Sequence, residues 1–291
     1  MKIKNIIITI IFLVLISITF YISYTFNLGD INSNFIHLIT HKFNGKVDYK
    51  IDFIDIYIKA FTSSNENYFK KSKNNNQDDK LVEVSFNTTN PLIYIYNTHS
   101  NEEYSYLKND IYNIVPNVKT ASYILESELE KLGINVIVEE KNTTDILNSK
   151  GLPYADSYKV SRTLLENKQK EYDTLTYFID IHRDSVKRSI TTIEINNVSY
   201  AKVMFVLGLE NKNYMENKKV ITKLNDYLNK NYSGLSRGIY EKQGSGVNGI
   251  YNQDFSENTM LIEVGGVDNT IEEVSNTIKV LATSLYNLIN Y

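Results

Sequence analysis

The sequence predicts an α/β protein: a mixed, largely parallel sheet with helices on both faces, preceded by one N-terminal transmembrane helix. Three observations lead there. From Pro91 onward, short apolar runs alternate with segments of helical period, the order that builds a parallel sheet covered by helices. The chain has 291 residues and is 42% hydrophobic, enough to bury a full core. Finally, Ile6 to Tyr24 is apolar and uncharged, close to the ~20 residues that cross a bilayer as a helix.

The elements follow in order. Lys2 and Lys4 precede the apolar run, so the positive-inside rule keeps them in the cytoplasm and translocates everything after about residue 27. A cleavable signal peptide fits less well, because the run is long and no Ala-x-Ala-like site follows it. Residues 1–27 therefore read as cytoplasmic tip and anchor, 28–90 as an extracytoplasmic stalk, and 91–291 as the folded extracytoplasmic domain of a single-pass cell-membrane protein. Polar stretches from Ser63 to Asn67 and Lys70 to Asp79 suit a stalk. His37 and His41 lie there at i, i+4 spacing without a third ligand, and read as bystanders.

Leu92 to Tyr96 is a predicted strand. Val118 to Leu132 carries Ala121, Ile124, Leu125 and Leu129 at helical spacing, and Gly133 closes it. Strand Ile134 to Val138, a helix around Tyr154 to Lys170 and strand Leu175 to Ile181 follow. Ile190 to Ile195 and Val198 to Leu207 read as two long strands joined tightly at Asn196-Asn197. A helix over 215–230, a glycine-rich loop from Gly244 to Gly249, strand Met260 to Val264 and helix Ile271 to Leu288 complete the chain.

Composition excludes several chemistries. A net charge of −3, with lysines spread along the chain, gives no footprint for nucleic acid. Cysteine is absent, which removes thiol catalysis, thiolate-bound zinc and iron–sulfur clusters. Any metal must be held by histidine and carboxylate.

Two of the four histidines, His99 and His182, fall in the predicted domain, each just past an apolar strand. Ligands of open α/β sheets bind beyond the carboxyl ends of strands. Two imidazoles there, with Glu102 three residues after the first, are the parts of a zinc site of the His₂Glu type. Glu263 is a charge inside the apolar run Leu261-Ile262-Glu263-Val264, and a charge so placed needs a partner or a purpose. It suits a carboxylate that moves a proton between a zinc-activated water and a leaving amine. Taken singly, each histidine reads as well as a hydrogen-bonded structural residue, and Glu263 as a salt-bridge partner. The repetition of one position type by both histidines favours the site.

An ordered set of segments then resembles the stage II sporulation protein P family. The set comprises Ile95-Tyr96-Asn97-Thr98-His99-Ser100-Asn101-Glu102, Ser161-Arg162, Asp180-Ile181-His182-Arg183-Asp184, Tyr251-Asn252-Gln253-Asp254 and Leu261-Ile262-Glu263-Val264-Gly265-Gly266 with Asn269-Thr270 and Glu272-Glu273. The resemblance implies an amidase_3-like fold and a membrane-anchored, zinc-dependent N-acetylmuramoyl-L-alanine amidase acting on peptidoglycan. It also implies Zn²⁺ held by His99, Glu102 and His182, with Glu263 as acid/base. The family is further credited with endopeptidase activity on cross-links. Its partners in engulfment are a stage II sporulation protein D-like transglycosylase and an M-like membrane protein. Where the family shows His-Thr-His this chain has Asn97-Thr98-His99, so His99 is the metal position. Glu103 stands where serine is usual, leaving Glu102 or Glu103 as the ligand.

Further residues have double readings. Arg183 and Asp184 could orient His182 or grip a substrate carboxylate, or form an ion pair. Arg162, Asn252 and Gln253 could meet the peptide stem, though the last two could equally serve a turn. A zinc carboxypeptidase is the rival enzyme, needing Arg162, Arg183 or Arg237 for a terminal carboxylate. A non-catalytic wall-binding scaffold is the rival of another class.

Overall fold

The structure, a computed structural model, describes residues 90–105 and 115–290. The expected anchor and stalk, with His37 and His41, lie outside the described residues.

Six strands form the main sheet in the order β2-β1-β3-β8-β6-β7. They are β1 (Ile93–Tyr96), β2 (Val136–Val138), β3 (Tyr177–Asp184), β6 (Val203–Gly208), β7 (Ser236–Lys242) and β8 (Thr259–Gly266). β2, β1, β3 and β8 run parallel; β6 pairs antiparallel to β8 and parallel to β7. The sheet is thus mixed and largely parallel, as the alternating sequence predicts.

β1 is buried along its length, the signature of a strand covered on both faces. Tyr94 and Tyr96 pack with Phe178 against Leu165 of α3 (Ser157–Glu171). On the other face, Asn97 Nδ2 donates to Ser122 Oγ of α1 (Val118–Lys131) at 3.0 Å. α1 packs in turn on α6 (Ile271–Asn290), which also meets α5 (Tyr214–Asn231). Helix α1 ends as expected. Gly133, at φ +80°, donates to Glu130 O at 2.9 Å, and Ile134 N reaches Leu129 O at 3.1 Å, closing the last turn.

Two segments depart from the prediction. The run Ile190 to Ile195 opens in a helical turn, α4 (Arg188–Thr191), and becomes strand only in β4 (Thr192–Ile195). The run Val198 to Leu207 splits at Lys202. Its first part, β5 (Val198–Ala201), forms a separate hairpin with β4, while the rest enters the main sheet as β6. The break has a backbone cause. Lys202 N donates to Thr191 O at 2.7 Å, extending the β4–β5 ladder, while Lys202 O accepts from Gly265 N at 2.9 Å, extending the pairing of β6 with β8, so the chain changes sheets at this residue. The predicted tight turn is present, with Asn196 and Asn197 both at positive φ. Two elements went unpredicted. They are β7 and α2 (Thr143–Lys150), which Asn142 caps through Asp145 N.

Candidate active site

β1, β3 and β8 run parallel, so their carboxyl ends share one edge, and register sets His182 beside Glu263. His99 arrives from the loop after β1. That loop is held on every side. Asn97 Nδ2 donates to Ile181 O at 2.8 Å, Ser100 Oγ to Asn97 O at 3.0 Å, and Thr143 Oγ1 to Asn97 O at 3.0 Å. Thr98 gives both its N–H and its hydroxyl to Asp180, at 2.9 and 2.6 Å. A tight turn, Glu102 N to His99 O at 3.1 Å, brings Glu102 round beside His99.

The rings of His99 and His182 stand 5.2 Å apart, nearly perpendicular. Tyr154 stacks on the His99 ring at 4.7 Å, and Tyr158 meets it edge-on at 5.6 Å. His182 Nδ1 lies 3.4 Å from Glu102 Oε2, which also accepts Arg183 N at 3.0 Å. His182 Nε2 lies 3.0 Å from Asp180 Oδ1, an ion-pair contact off the line of a hydrogen bond, so the nitrogen lacks a hydrogen-bond partner. His99 Nδ1 and Glu263 Oε2 are likewise buried without partners. All four expected residues line one cleft of about 550 Å³.

Electrostatics separate the members. Burial and the nearby charge of His182 push His99 below the ordinary imidazole value. Burial alone would lower His182 too, but the Asp180 and Glu102 carboxylates outweigh it and hold that ring well above its ordinary value. Burial works against ionised Glu102, yet His182 and the Arg183 N–H keep its carboxyl low. Glu263 has no such help. Burial, with Glu102 and Asp184 nearby, lifts it to about 7, against the milder pull of His182 and Lys242.

No group of three His, Asp or Glu side chains among the described residues is already arranged around a metal position. His182 and Glu102 face each other instead. The donor set still suits zinc in kind. It offers two imidazole nitrogens and a carboxylate oxygen, and buried polar atoms lacking partners are costly unless something else satisfies them.

A family model described as Stage II sporulation protein P matches residues 50–286. The chain belongs to the stage II sporulation protein P family. It is 39% identical over 189 residues to stage II sporulation protein P of Bacillus subtilis (strain 168), covering 63% of this chain and 47% of that protein. The chain thus spans about half the length of that curated relative. Among solved structures it is similar to the CwlD amidase from Clostridioides difficile in complex with the GerS lipoprotein. That match has 14% identity and a TM-score of 0.44, covering 68% of this chain and 96% of that one. It is also similar to the N-acetylmuramoyl-L-alanine amidase AmiC2 of Nostoc punctiforme, at 10% identity and a TM-score of 0.38, covering 69% and 98%. Structural likenesses this distant carry no argument about function.

The remaining residues of the stage II sporulation protein P segments divide by place. Of the two acids after His99, Glu102 lines the cleft; Glu103 is exposed and bridges to Asn117. Arg183 does not pair with Asp184. Its Nε donates to Glu103 O at 2.8 Å and clamps the Glu102 loop, while Asp184 accepts Arg237 Nη1 at 2.8 Å. Asn252 and Gln253 are buried and engaged internally. Asn252 Nδ2 bonds Tyr158 O and Ser161 Oγ, and Gln253 ties Gly208 N to Val206 O. Arg162 bonds Glu166 and Asp254 and lies over Phe255.

Sequence reasoning gave no role to Asp180, Tyr154, Tyr158 or Lys242, which surround the four. Asp180 was open to detection. It stands two residues before His182 on the same strand face, a charge inside an apolar run. Tyr154 and Tyr158 carried no distinguishing signal among 23 tyrosines.

Proposed function

We propose that this chain is a membrane-anchored, zinc-dependent peptidoglycan hydrolase of amidase type. It cleaves the amide between the lactyl group of muramic acid and the L-alanine of the stem peptide during sporulation engulfment. One observation carries the reading. Two imidazoles and two carboxylates, three of them with a buried polar atom lacking a hydrogen-bond partner, meet in one cleft at the carboxyl edge of the sheet. Family membership supplies the biological setting.

In this reading His99, Glu102 and His182 hold the zinc. Zinc there would polarise the amide carbonyl and lower the pKa of water toward ~7. Glu263 handles the protons. With its carboxyl near 7, it can accept a proton from the attacking water and release it to the departing amine at neutral pH. The hydroxyl of that water ends on the lactyl carbon as a carboxylic acid; the C–N bond breaks, and L-alanine leaves with a free amino group. Asp180, fully buried and tied to Thr98, keeps the His182 ring and the His99 loop in one orientation. The apolar run from Ile6 to Tyr24 would hold the domain against the outer face of the membrane. A D-like transglycosylase and an M-like membrane protein are its expected partners.

The carboxypeptidase alternative needs a free arginine in the cleft. Arg162, Arg183 and Arg237 are all engaged elsewhere. Mass spectrometry of sacculi digested by the full chain with zinc tests the proposal. Stem peptides carrying a new L-alanine amino terminus are expected, and His99→Ala and His182→Ala should each abolish their release. If the unaltered chain binds sacculi and liberates nothing with zinc present, the scaffold reading replaces it.

A further inference from the structure

One cation in the cleft, Lys242, enters the chemistry above only as a mild pull on the Glu263 carboxyl. Lys242 ends β7, opposite Gly208 of β6, and Tyr240 lies opposite Val206. Val206 in turn pairs with Leu261, and Met204 with Glu263. Alternation along each strand therefore sets Lys242 on the sheet face that carries Glu263 and His182. Its ammonium lies 5.2 Å from the Tyr240 ring centre and 5.9 Å from that of Tyr251. Cations over tyrosine faces are held in place without losing their charge.

That position is built, not incidental. Gly208 has no room for a side chain: a Cβ would come within 2.4 Å of Gly249 O and 2.9 Å of the Tyr251 ring. The loop after Lys242 is thus pressed onto β6, with Tyr251 beside the lysine. Among the described residues no carboxylate forms an ion pair with the ammonium, and Glu263 feels it only as a mild pull. Neighbouring Glu241 pairs with Lys218, and Glu210 accepts Gly244 N. An uncompensated cation in a cleft faces whatever anion the ligand brings.

We propose that Lys242 is a specificity-determining residue that binds a free carboxylate of the peptide stem, beyond the scissile amide. This rests on the hydrolase reading above for the direction in which the substrate lies. From Glu263, the backbone of Lys242 is roughly 13 Å along the strands and about 10 Å across them, and the lysine side chain shortens that span. Extended chain covers about 3.5 Å per residue. A carboxylate on the second or third stem residue therefore falls within reach. A neutral amide in place of the carboxylate would lose the charge-assisted contact.

Binding, not turnover, is the test. N-acetylmuramoyl stem peptides are titrated into the metal-stripped full chain, so that nothing is consumed. One ligand has all carboxylates free, a second is amidated at the second residue, and a third at the third. The free form should bind about tenfold more tightly than one of the two amidated forms, which identifies the carboxylate recognised. Lys242→Met should lose that ratio, and Lys242→Arg should keep most of it. Equal binding of all three ligands by the parent overturns the proposal, and so does a ratio that survives in Lys242→Met. A chain that binds with this selectivity but cuts no peptidoglycan would leave the subsite standing and remove the reaction; one that cuts without the selectivity would do the reverse.

Discussion

Glu263 and Glu273 are two carboxylates on consecutive elements with opposite surroundings. Glu273, in the first turn of α6, accepts Thr270 N at 3.0 Å, Asn269 Nδ2 at 2.9 Å and Arg188 Nη1 at 2.7 Å. Burial works against its charge, but these donors hold its carboxyl below the ordinary value. Glu263, in β8, has an oxygen with no partner, and burial lifts it to about 7. The first carboxylate is finished and holds α6 to α4. The second is unfinished, and can therefore act on something that is not part of the chain. Of these two carboxylates, the satisfied one belongs to the frame and the unsatisfied one to the site.

The largest expected effect breaks the unfinished member. Glu263→Gln should lower hydrolysis about a thousandfold, since a positioned acid/base contributes on the order of 10²–10⁴. The same variant should stabilise the metal-stripped protein at high pH. A carboxyl raised from 4.5 to about 7 keeps in the fold a proton that the unfolded chain has already released. Stability from this group is therefore full below about pH 4.5 and falls as pH rises toward 7, by up to ~3 kcal/mol. His182, also raised, acts in the same direction, so the diagnostic is parent against variant. Melts at pH 5 and pH 8 should show the parent losing more than Glu263→Gln. Parallel losses would mean that Glu263 ionises freely.

Breaking the finished member should do the reverse. Glu273→Ala is expected to cost about 2–3 kcal/mol in denaturant unfolding, below the full value for a buried pair because the Arg188 side chain is 47% exposed. Hydrolysis per folded molecule should hold. A tenfold fall in activity without loss of stability would place Glu273 in the chemistry.

Between these lies Asp180, satisfied on the Thr98 side and out of hydrogen-bonding line on the His182 side. Asp180→Asn should weaken zinc binding or activity about ten- to a hundredfold, the range for groups that orient metal ligands. An unchanged variant would reduce Asp180 to a loop anchor. The smallest effect belongs to Arg162. Its two ion pairs are partly exposed, so Arg162→Ala should cost about 1 kcal/mol or less and leave the cleft alone.

The same contrast explains what the sequence could reveal. His99, His182 and Glu263 were legible because each interrupts or ends an apolar strand, and a polar group there is visible against its neighbours. That β2, β1, β3 and β8 run parallel followed from strand–helix alternation, though their order did not. β7 was hidden because Ser236-Arg237-Gly238 breaks the alternation before Ile239 and Tyr240 establish it, and Lys242 was hidden with it. The split at Lys202 could not be read either. Val198 to Leu207 is continuous in propensity, and only the long-range bonds to Thr191 and Gly265 divide it. Asn252 and Gln253 read as stem-binding amides or turn residues, but whether an amide is free depends on partners as distant as Ser161 and Gly208.

Elemental analysis of the full chain after zinc loading and dialysis tests the central claim most directly. The parent should retain one zinc per chain, and His99→Ala and His182→Ala should retain little or none while keeping the parent's circular dichroism. Equal zinc in the parent and both folded variants, or none in the parent, would contradict the account.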